Sequence, residues 1–346
     1  MIKVLVVDDS AVMRAFLGRV VASQADMELV AVAGDPVLAI DRIRQKAPDV
    51  ITLDVEMPRM NGLEFLSRLM SVRPMPVVMI STLTRTGADT TMRALELGAV
   101  DFFAKPANPA ELEGSVHEIA EKIRAAAHAR VVRHRLPAPS GPARTSPHGS
   151  RPIGRVANDV VIGIGASTGG VEALREILVN LPPDIPPILI AQHMPPGFTE
   201  TFARRLDSIC QIGVSEARDR EPACHGMAYI APGGRHLTLA RHMGGYQLQL
   251  TDEPPVNRHR PSVDPLFRSI ARVAGPRALG VMLTGMGADG AEAMLEMRRS
   301  GAHTIAQDEA TCVVFGMPRQ AIALGGVREV LGLRDIAPRL AALTTA

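Results

Sequence analysis

Two patterns alternate along residues 3 to about 125. Short apolar runs at 4–7, 29–32, 50–53, 77–80 and 100–103 read as strands. The stretches 12–23, 37–45, 62–70, 90–97 and 111–125 space their apolar residues as helices do. Five strands alternating with helices predict a parallel, doubly wound sheet. The alternation fails after about His128 and returns at Asp159. There the expected strands are 160–164, 188–192, 212–215, 228–231, 237–239, 247–250, 279–283 and 304–306. Helical patterns follow Gly170, Gly197, Pro265, Gly290 and Met317. The stretch 229–251 reads as a hairpin turning at Met243-Gly244-Gly245, an insertion in a second α/β plan.

The expected domains are therefore 1–125 and 158–346, joined by a linker at 126–157. No acidic residue occurs between Glu121 and Asp159. Pro137, Pro139, Pro142, Pro147 and Pro152 alternate there with Ser and Gly, and six arginines supply charge. That composition is a partly extended, basic tether.

Open parallel sheets carry their sites at the C-terminal ends of strands. In the first domain those ends are Asp8-Asp9, Asp54, Ser81-Thr82 and Lys105-Pro106. Three carboxylates at one edge repel one another unless a cation lies among them, and hard oxygen ligands suit Mg²⁺. A lysine and a hydroxyl at the same edge would hold phosphate oxygens. Each residue alone has a plainer explanation, since acidic residues cap helices and most lysines are solvated. Their joint placement is harder to explain that way.

In the second domain the first strand runs into Gly165-Ala166-Ser167-Thr168-Gly169, a G-x-S-x-G pattern on a strand-turn-helix. Such a turn presents a serine hydroxyl at a strand end, beside the N–H groups of a helix N-terminus. A phosphate-binding glycine turn and a tight turn without chemistry compete with that reading. The nucleotide reading expects an acid after the next strand, whereas that strand ends in His193. Asp289 follows the strand ending at Leu283, so one sheet edge would gather Ser167, His193 and Asp289. Asp289 could equally be only a helix cap, with Asp264 and Asp308 as rival acids. Most of the other histidines, which include His225, His236, His242, His259 and His303, lie in polar or loop segments without a nucleophile context. The order Ser, His, Asp differs from the Ser, Asp, His of α/β-hydrolases.

Composition narrows the classes. At 346 residues and 46% hydrophobic content the chain can build two cores. Cys210, Cys224 and Cys312 match no metal or redox spacing and read as buried thiols in a reducing cytoplasm. No signal peptide and no membrane-length apolar run is visible, so membrane insertion is not expected. The chain has no tryptophan, and a stacking platform for single-stranded nucleic acid is not expected.

Val6-Val7-Asp8-Asp9-Ser10, the stretch from Leu53 to Gly62 and Phe102-Phe103-Ala104-Lys105-Pro106 resemble the receiver domain of two-component response regulators. The resemblance implies a flavodoxin-like fold in which Asp54 accepts a phosphoryl group from a histidine kinase. It implies that Asp8 and Asp9, with Asp54 and a backbone carbonyl shortly after it, hold Mg²⁺. Ser81 would be the switch hydroxyl, and Lys105 would pair with the phosphoryl group. The stretches Gly163 to Gly170, His193-Met194-Pro195-Pro196-Gly197-Phe198, Ala231-Pro232-Gly233 and Leu283 to Gly290 resemble the catalytic domain of chemotaxis protein-glutamate methylesterases, the CheB family.

That second resemblance implies a Rossmann-like domain with a Ser167–His193–Asp289 triad and no cofactor for the esterase step. It places an oxyanion donor at the backbone of Met286, with Thr168 as a second. The implied substrates are γ-glutamyl methyl esters and glutamines of chemoreceptors. The resemblance also implies a receiver that obstructs the active site until phosphorylated; beyond it, phosphorylation of Asp54 is expected to weaken the interface near the Ser81 and Phe103 face. Three rival functions stand beside this reading. They are a partner-binding regulator with an inert triad, a transcription factor, and a general small-molecule esterase. The second domain lacks a short helix-turn-helix with clustered basic residues, which ranks the transcription factor low.

Overall fold

A computed structural model describes residues 1–57, 60–82, 84–106, 109–129, 131 and 160–344. The chain forms two compact units, Met1–Leu136 and Pro137–Ala346. The tether expected at 126–157 lies outside the described residues, apart from 126–129 and 131.

In the first unit the strands are β1 (Ile2–Val7), β2 (Met27–Ala33), β3 (Val50–Asp54), β4 (Val77–Thr82) and β5 (Asp101–Lys105). The helices are α1 (Ala11–Ala22), α2 (Pro36–Lys46), α3 (Gly62–Val72), α4 (Arg85–Glu96), α5 (Pro109–Gly114) and α6 (Val116–Ala127). The sheet is parallel in the order β2-β1-β3-β4-β5. The order reverses between β1 and β3, so the crevice opens where Asp8 and Asp54 end their strands. Helix starts are set by side-chain caps. Ser10, Asp35, Asn61 and Thr84 each accept a hydrogen bond from an amide of the first turn. The Thr84 cap starts α4 five residues before the expected 90, because its polar first turn shows no apolar periodicity. The helix expected at 111–125 is two helices that break at Gly114-Ser115.

The second unit contains β6 (Val161–Ala166), α7 (Gly170–Val179), β7 (Ile188–Gln192), α8 (Phe198–Ile209), β8 (Gly213–Glu216) and β9 (Met227–Ile230). After the hairpin β10 (His236–His242) and β11 (Gly245–Thr251) come α9 (Val263–Ala274), β12 (Ala278–Met282) and α10 (Ala291–Arg299). The chain then runs through β13 (His303–Gln307), α11 (Met317–Ala323), β14 (Glu329–Leu331) and α12 (Leu333–Thr344). Seven parallel strands lie in the order β14-β13-β12-β6-β7-β9-β8. Both domains are thus doubly wound parallel α/β sheets, as expected. Tyr229 belongs to β9 of the main sheet, so the inserted hairpin is confined to β10 and β11.

Two elements went unanticipated. β14 is a three-residue edge strand with Val330 half exposed, too short to show a period. α12 contains Pro338, which ordinarily argues against a helix interior. Its Ile336, Ala337 and Leu340 are buried, and tertiary packing against α7 and β13 outweighs that preference.

The glycines of β6 have a packing role. A Cβ on Gly163 would lie 2.6 Å from Ile270 Cδ1, and one on Gly165 would lie 2.4 Å from Val263 Cγ1. Helix α9 therefore rests directly on the strand. These glycines make room for that helix.

Candidate active site and phosphoacceptor site

β6 lies between β12 and β7, with Met282 opposite Gly165 and Ala166 opposite Gln192. This register brings the ends of the three strands level. The sheet order also reverses between β12 and β6, the usual place for a ligand crevice. Ser167 follows β6 on a bend closed by Gly170 N–H donating to Ser167 O at 2.7 Å. Gly169 caps α7 at φ +78°, a left-handed value that suits glycine.

The bend is held from three sides. Ser167 N–H donates to Thr284 O at 3.0 Å. Gln192 Nε2 donates to Ser167 O at 3.0 Å. Buried Thr284 donates its hydroxyl to Thr168 O at 3.0 Å, while its own amide donates to Gln307 Oε1 at 2.9 Å. None of Gln192, Thr284 and Gln307 stands out in the sequence, because each acts only through neighbours distant along the chain.

His193 N–H donates to Ala166 O at 3.2 Å, which sets His193 beside Ser167. His193 Nδ1 lies 3.2 Å from Ser167 Oγ, and Nε2 lies 2.7 Å from Asp289 Oδ2. With the proton on Nε2 donated to Asp289, Nδ1 is left to accept from the serine hydroxyl. Asp289 also accepts from Val263 N–H at 2.7 Å, Ser262 Oγ at 2.7 Å and Asn257 Nδ2 at 2.8 Å. Burial by itself would raise the Asp289 pKa. The hydrogen bond and charge of His193, with Asn257 and the Val263 amide, hold it well below the usual carboxylate range.

The three residues expected to form a triad are therefore brought together. Of the rival acids, Asp308 caps its own loop through Thr311. Asp264 reaches the site only indirectly, accepting at 2.7 Å from the same Asn257 amide that binds Asp289. The expectation that His259 lies apart from the nucleophile is overturned. Its ring stacks on His193 with centroids 3.7 Å apart and planes 14° from parallel.

Met286 lies in the loop after β12. Gly285 O accepts from the amides of Gly316 and Met317 at 3.0 and 2.8 Å, which fixes the loop. A Cβ on Gly285 would lie 2.8 Å from Ser167 Cβ, so this backbone passes directly beside the nucleophile. Among the described residues, the Met286 amide donates to no acceptor. Thr168 is buried next to Ser167 at the helix start.

In the first unit, Asp8 and Asp54 are buried and Asp9 is exposed. Lys105 Nζ lies 2.7 Å from Asp54 Oδ2 and 3.2 Å from Asp8 Oδ2. Burial, with the charge of Asp8, pushes Asp54 up to about 6 despite the bond from Lys105. Arg14 Nη1 donates to Asp8 O at 2.8 Å and Asp9 O at 2.9 Å, which orients the acidic loop. One oxygen from each of Asp8, Asp9 and Asp54 falls within 4.8 Å of the others. Asp8 Oδ2 is buried without a hydrogen bond, its contact with Lys105 being ionic only. This donor set fits a hard divalent cation. Ser81 Oγ donates to Gly87 O at 3.2 Å, a bond within the α4 approach. Ser81 and Phe103 are both buried in the receiver core.

Comparison with known proteins assigns a family to each unit. Residues 4–117 match the response regulator receiver domain, and residues 162–340 match the CheB methylesterase family. The chain is 56% identical over 348 residues to a protein-glutamate methylesterase/protein-glutamine glutaminase of Burkholderia lata, covering 99% of this chain and 95% of that one. It is 55% identical to a protein of the same description from Pectobacterium atrosepticum, covering 100% and 97%. The crystal structure of the Thermotoga maritima CheB methylesterase catalytic domain superposes with a TM-score of 0.53 at 41% identity, covering 54% of this chain and 98% of that one.

Fold and site together define a response regulator whose second domain is a hydrolase. The chain belongs to the CheB methylesterase family, and it is an enzyme of that family.

Proposed function

We propose that this enzyme hydrolyses γ-glutamyl methyl esters on chemoreceptors and deamidates receptor glutamines, and that phosphorylation of Asp54 raises the rate. The observation that carries the chemistry is the chain of contacts from Ser167 Oγ through His193 to Asp289. Ser167 Oγ attacks the ester carbonyl carbon as its proton passes to His193 Nδ1. Buried Asp289 stabilises the imidazolium through Nε2. The carbonyl oxygen becomes an oxyanion facing the Met286 amide, with Thr168 as second donor. One such donor typically contributes about 10²–10³-fold in rate. The tetrahedral adduct collapses, Nδ1–H protonates the departing methoxide, and methanol leaves. Water then attacks the glutamyl-serine ester, giving its proton to Nδ1. The carboxylate is released and Ser167 recovers its proton. With a glutamine substrate, ammonia leaves in place of methanol.

In the proposed arrangement a receiver (1–125) and a catalytic domain (158–346) are joined by a tether (126–157). Asp54 takes its phosphoryl group from a chemotaxis histidine kinase. Asp8, Asp9 and Asp54 would hold Mg²⁺, which supplies charge neutralisation for the incoming phosphoryl oxygens. Lys105 already bridges Asp54 and Asp8 and would pair with the phosphoryl group, and Ser81 would turn toward it. Activity in the cytoplasm and a part in sensory adaptation belong to the same proposal. All three cysteines are free and buried, and no described helix is long and apolar enough to cross a membrane.

The test is methanol release from methylated chemoreceptor membranes by the full-length protein with Mg²⁺, with and without acetyl phosphate. Release that rises with acetyl phosphate is expected. Release indifferent to it would discard the phosphorylation gate, and no release with Asp54 phosphorylated would discard the substrate.

A further inference from the structure

The Asp289 hydrogen bond fixes one end of the His193 ring, but it leaves the ring plane loosely held. The Cβ–Cγ axis of a histidine leaves the ring near its Cε1–Nε2 edge. Both nitrogens lie off that axis, Nδ1 the farther, so rotation about it swings Nδ1 through the larger arc. A base held only at Nε2 can turn Nδ1 away from Ser167 while keeping its acid. His259 covers a face of that ring, at 3.7 Å and 14° from parallel. A parallel ring at van der Waals distance blocks the rotation on the side it covers.

The turn carrying His259 is built on the same carboxylate. Val256 and His259 exchange backbone bonds, Val256 N–H to His259 O at 3.1 Å and His259 N–H to Val256 O at 2.9 Å. The two residues between them, Asn257 and Arg258, both have left-handed backbone, at φ +52° and +68°. A two-residue turn of this hand requires positive φ at both central positions, where asparagine or glycine is the usual occupant. Such backbone persists in non-glycine residues where the surroundings fix it.

Here the surroundings are the catalytic acid and its neighbours. Asn257 Nδ2 bonds Asp289 Oδ1 and Asp264 Oδ2. The chain leaving the turn bonds Asp289 again through Ser262 Oγ and the Val263 amide. Buried His236 accepts from the Ser262 amide at 3.3 Å. The turn is thus anchored on both sides of His259.

We propose that His259 is a positioning residue for the general base: its ring, laid flat on His193, holds the plane in which Nδ1 faces Ser167 and Nε2 faces Asp289. This rests on reading Ser167, His193 and Asp289 as the triad. The role needs a flat ring rather than a proton, so phenylalanine replaces it and alanine does not.

The experiment compares full-length wild type, S167A, H259A and H259F in methanol release from methylated receptor membranes with Mg²⁺ and acetyl phosphate, with a melting curve for each. H259A is expected to lower kcat about 10- to 100-fold at unchanged KM, the size of a small misplacement of a reacting group. H259F is expected to stay within about threefold of wild type, because an aromatic face remains on His193. Three results would overturn the proposal: H259A at wild-type kcat, H259A with raised KM and intact kcat, or H259F as slow as H259A. If H259A melts below the assay temperature, H259F decides alone. S167A as active as wild type would remove the triad reading and this proposal with it. An inactive S167A beside a fully active H259A would remove this proposal only.

Discussion

Replacing Asp289 by asparagine separates the charge of this carboxylate from its shape. The carboxylate accepts on both oxygens, from His193 and the Val263 amide on Oδ2 and from Asn257 and Ser262 on Oδ1. An asparagine places an NH₂ on one side. The Oδ1 side tolerates it better, since the Ser262 hydroxyl can turn and the Asn257 amide can flip to accept, while the Val263 amide cannot. The oxygen then remains on His193, and what disappears is the negative charge. At the observed 2.7 Å, an ion pair in an effective dielectric constant of about 20 is worth about 6 kcal/mol. Since about 1.4 kcal/mol is tenfold in rate, complete loss sets a ceiling of about four decades. The amide dipole retains part of the attraction, so kcat of D289N is expected to fall about 10³–10⁴-fold. KM should change little, because the charge matters when the imidazolium forms. Steady-state methanol release measures this, with S167A as the floor. A D289N kcat within tenfold of wild type would refute the assignment of Asp289 as the group that stabilises the charged base.

Three further outcomes are expected. G285A should lose about 10²-fold or more in kcat and melt lower than wild type, since its Cβ would lie 2.8 Å from Ser167 Cβ and 2.4 Å from Met317 Sδ; an unchanged rate would mean that this loop is not held against the nucleophile. Chelating divalent ions should abolish labelling of Asp54 by acetyl phosphate, read on a phosphate-affinity gel, while leaving the phosphodonor-independent methanol release unchanged; labelling that survives chelation would count against Asp8, Asp9 and Asp54 as a cation site. The folded-state pKa of Asp289 lies below its ordinary 3.8, so its contribution to stability is present above that value and lost as pH falls through the lower, folded one. The melting-temperature gap between wild type and D289N should therefore hold from about pH 7 to about pH 5 and narrow below about pH 4; a gap that widens on acidification would reverse the sign of the shift.

Much of this protein was determined locally. Apolar runs and amphipathic stretches mark both parallel sheets, because strands and helices bury themselves with periods that need no knowledge of the partner. The strand ends Asp8-Asp9, Asp54 and Lys105, and Ser167, His193 and Asp289, were legible for a topological reason. A parallel sheet collects its C-terminal ends at one edge, so position along the chain already implies proximity. Cap-driven helix starts and the Pro338-containing helix were not legible, since a hydroxyl cap and packing against α7 leave no periodic trace.

What only the tertiary structure decided lies in segments without period. Asn257, His259 and Ser262 sit in a turn whose sequence shows nothing of the carboxylate it surrounds. Gln192, Thr284 and Gln307 act through bonds to backbone groups that folding alone brings near. The pairing of Nδ1 with Ser167 and Nε2 with Asp289, rather than the reverse, is visible only in the folded geometry. The glycines of β6 looked like a phosphate cradle and proved to be the floor on which α9 rests. Sequence specifies which groups reach the edge of the sheet; the packing around that edge fixes how their atoms face one another, and it is on that orientation that proton transfer depends.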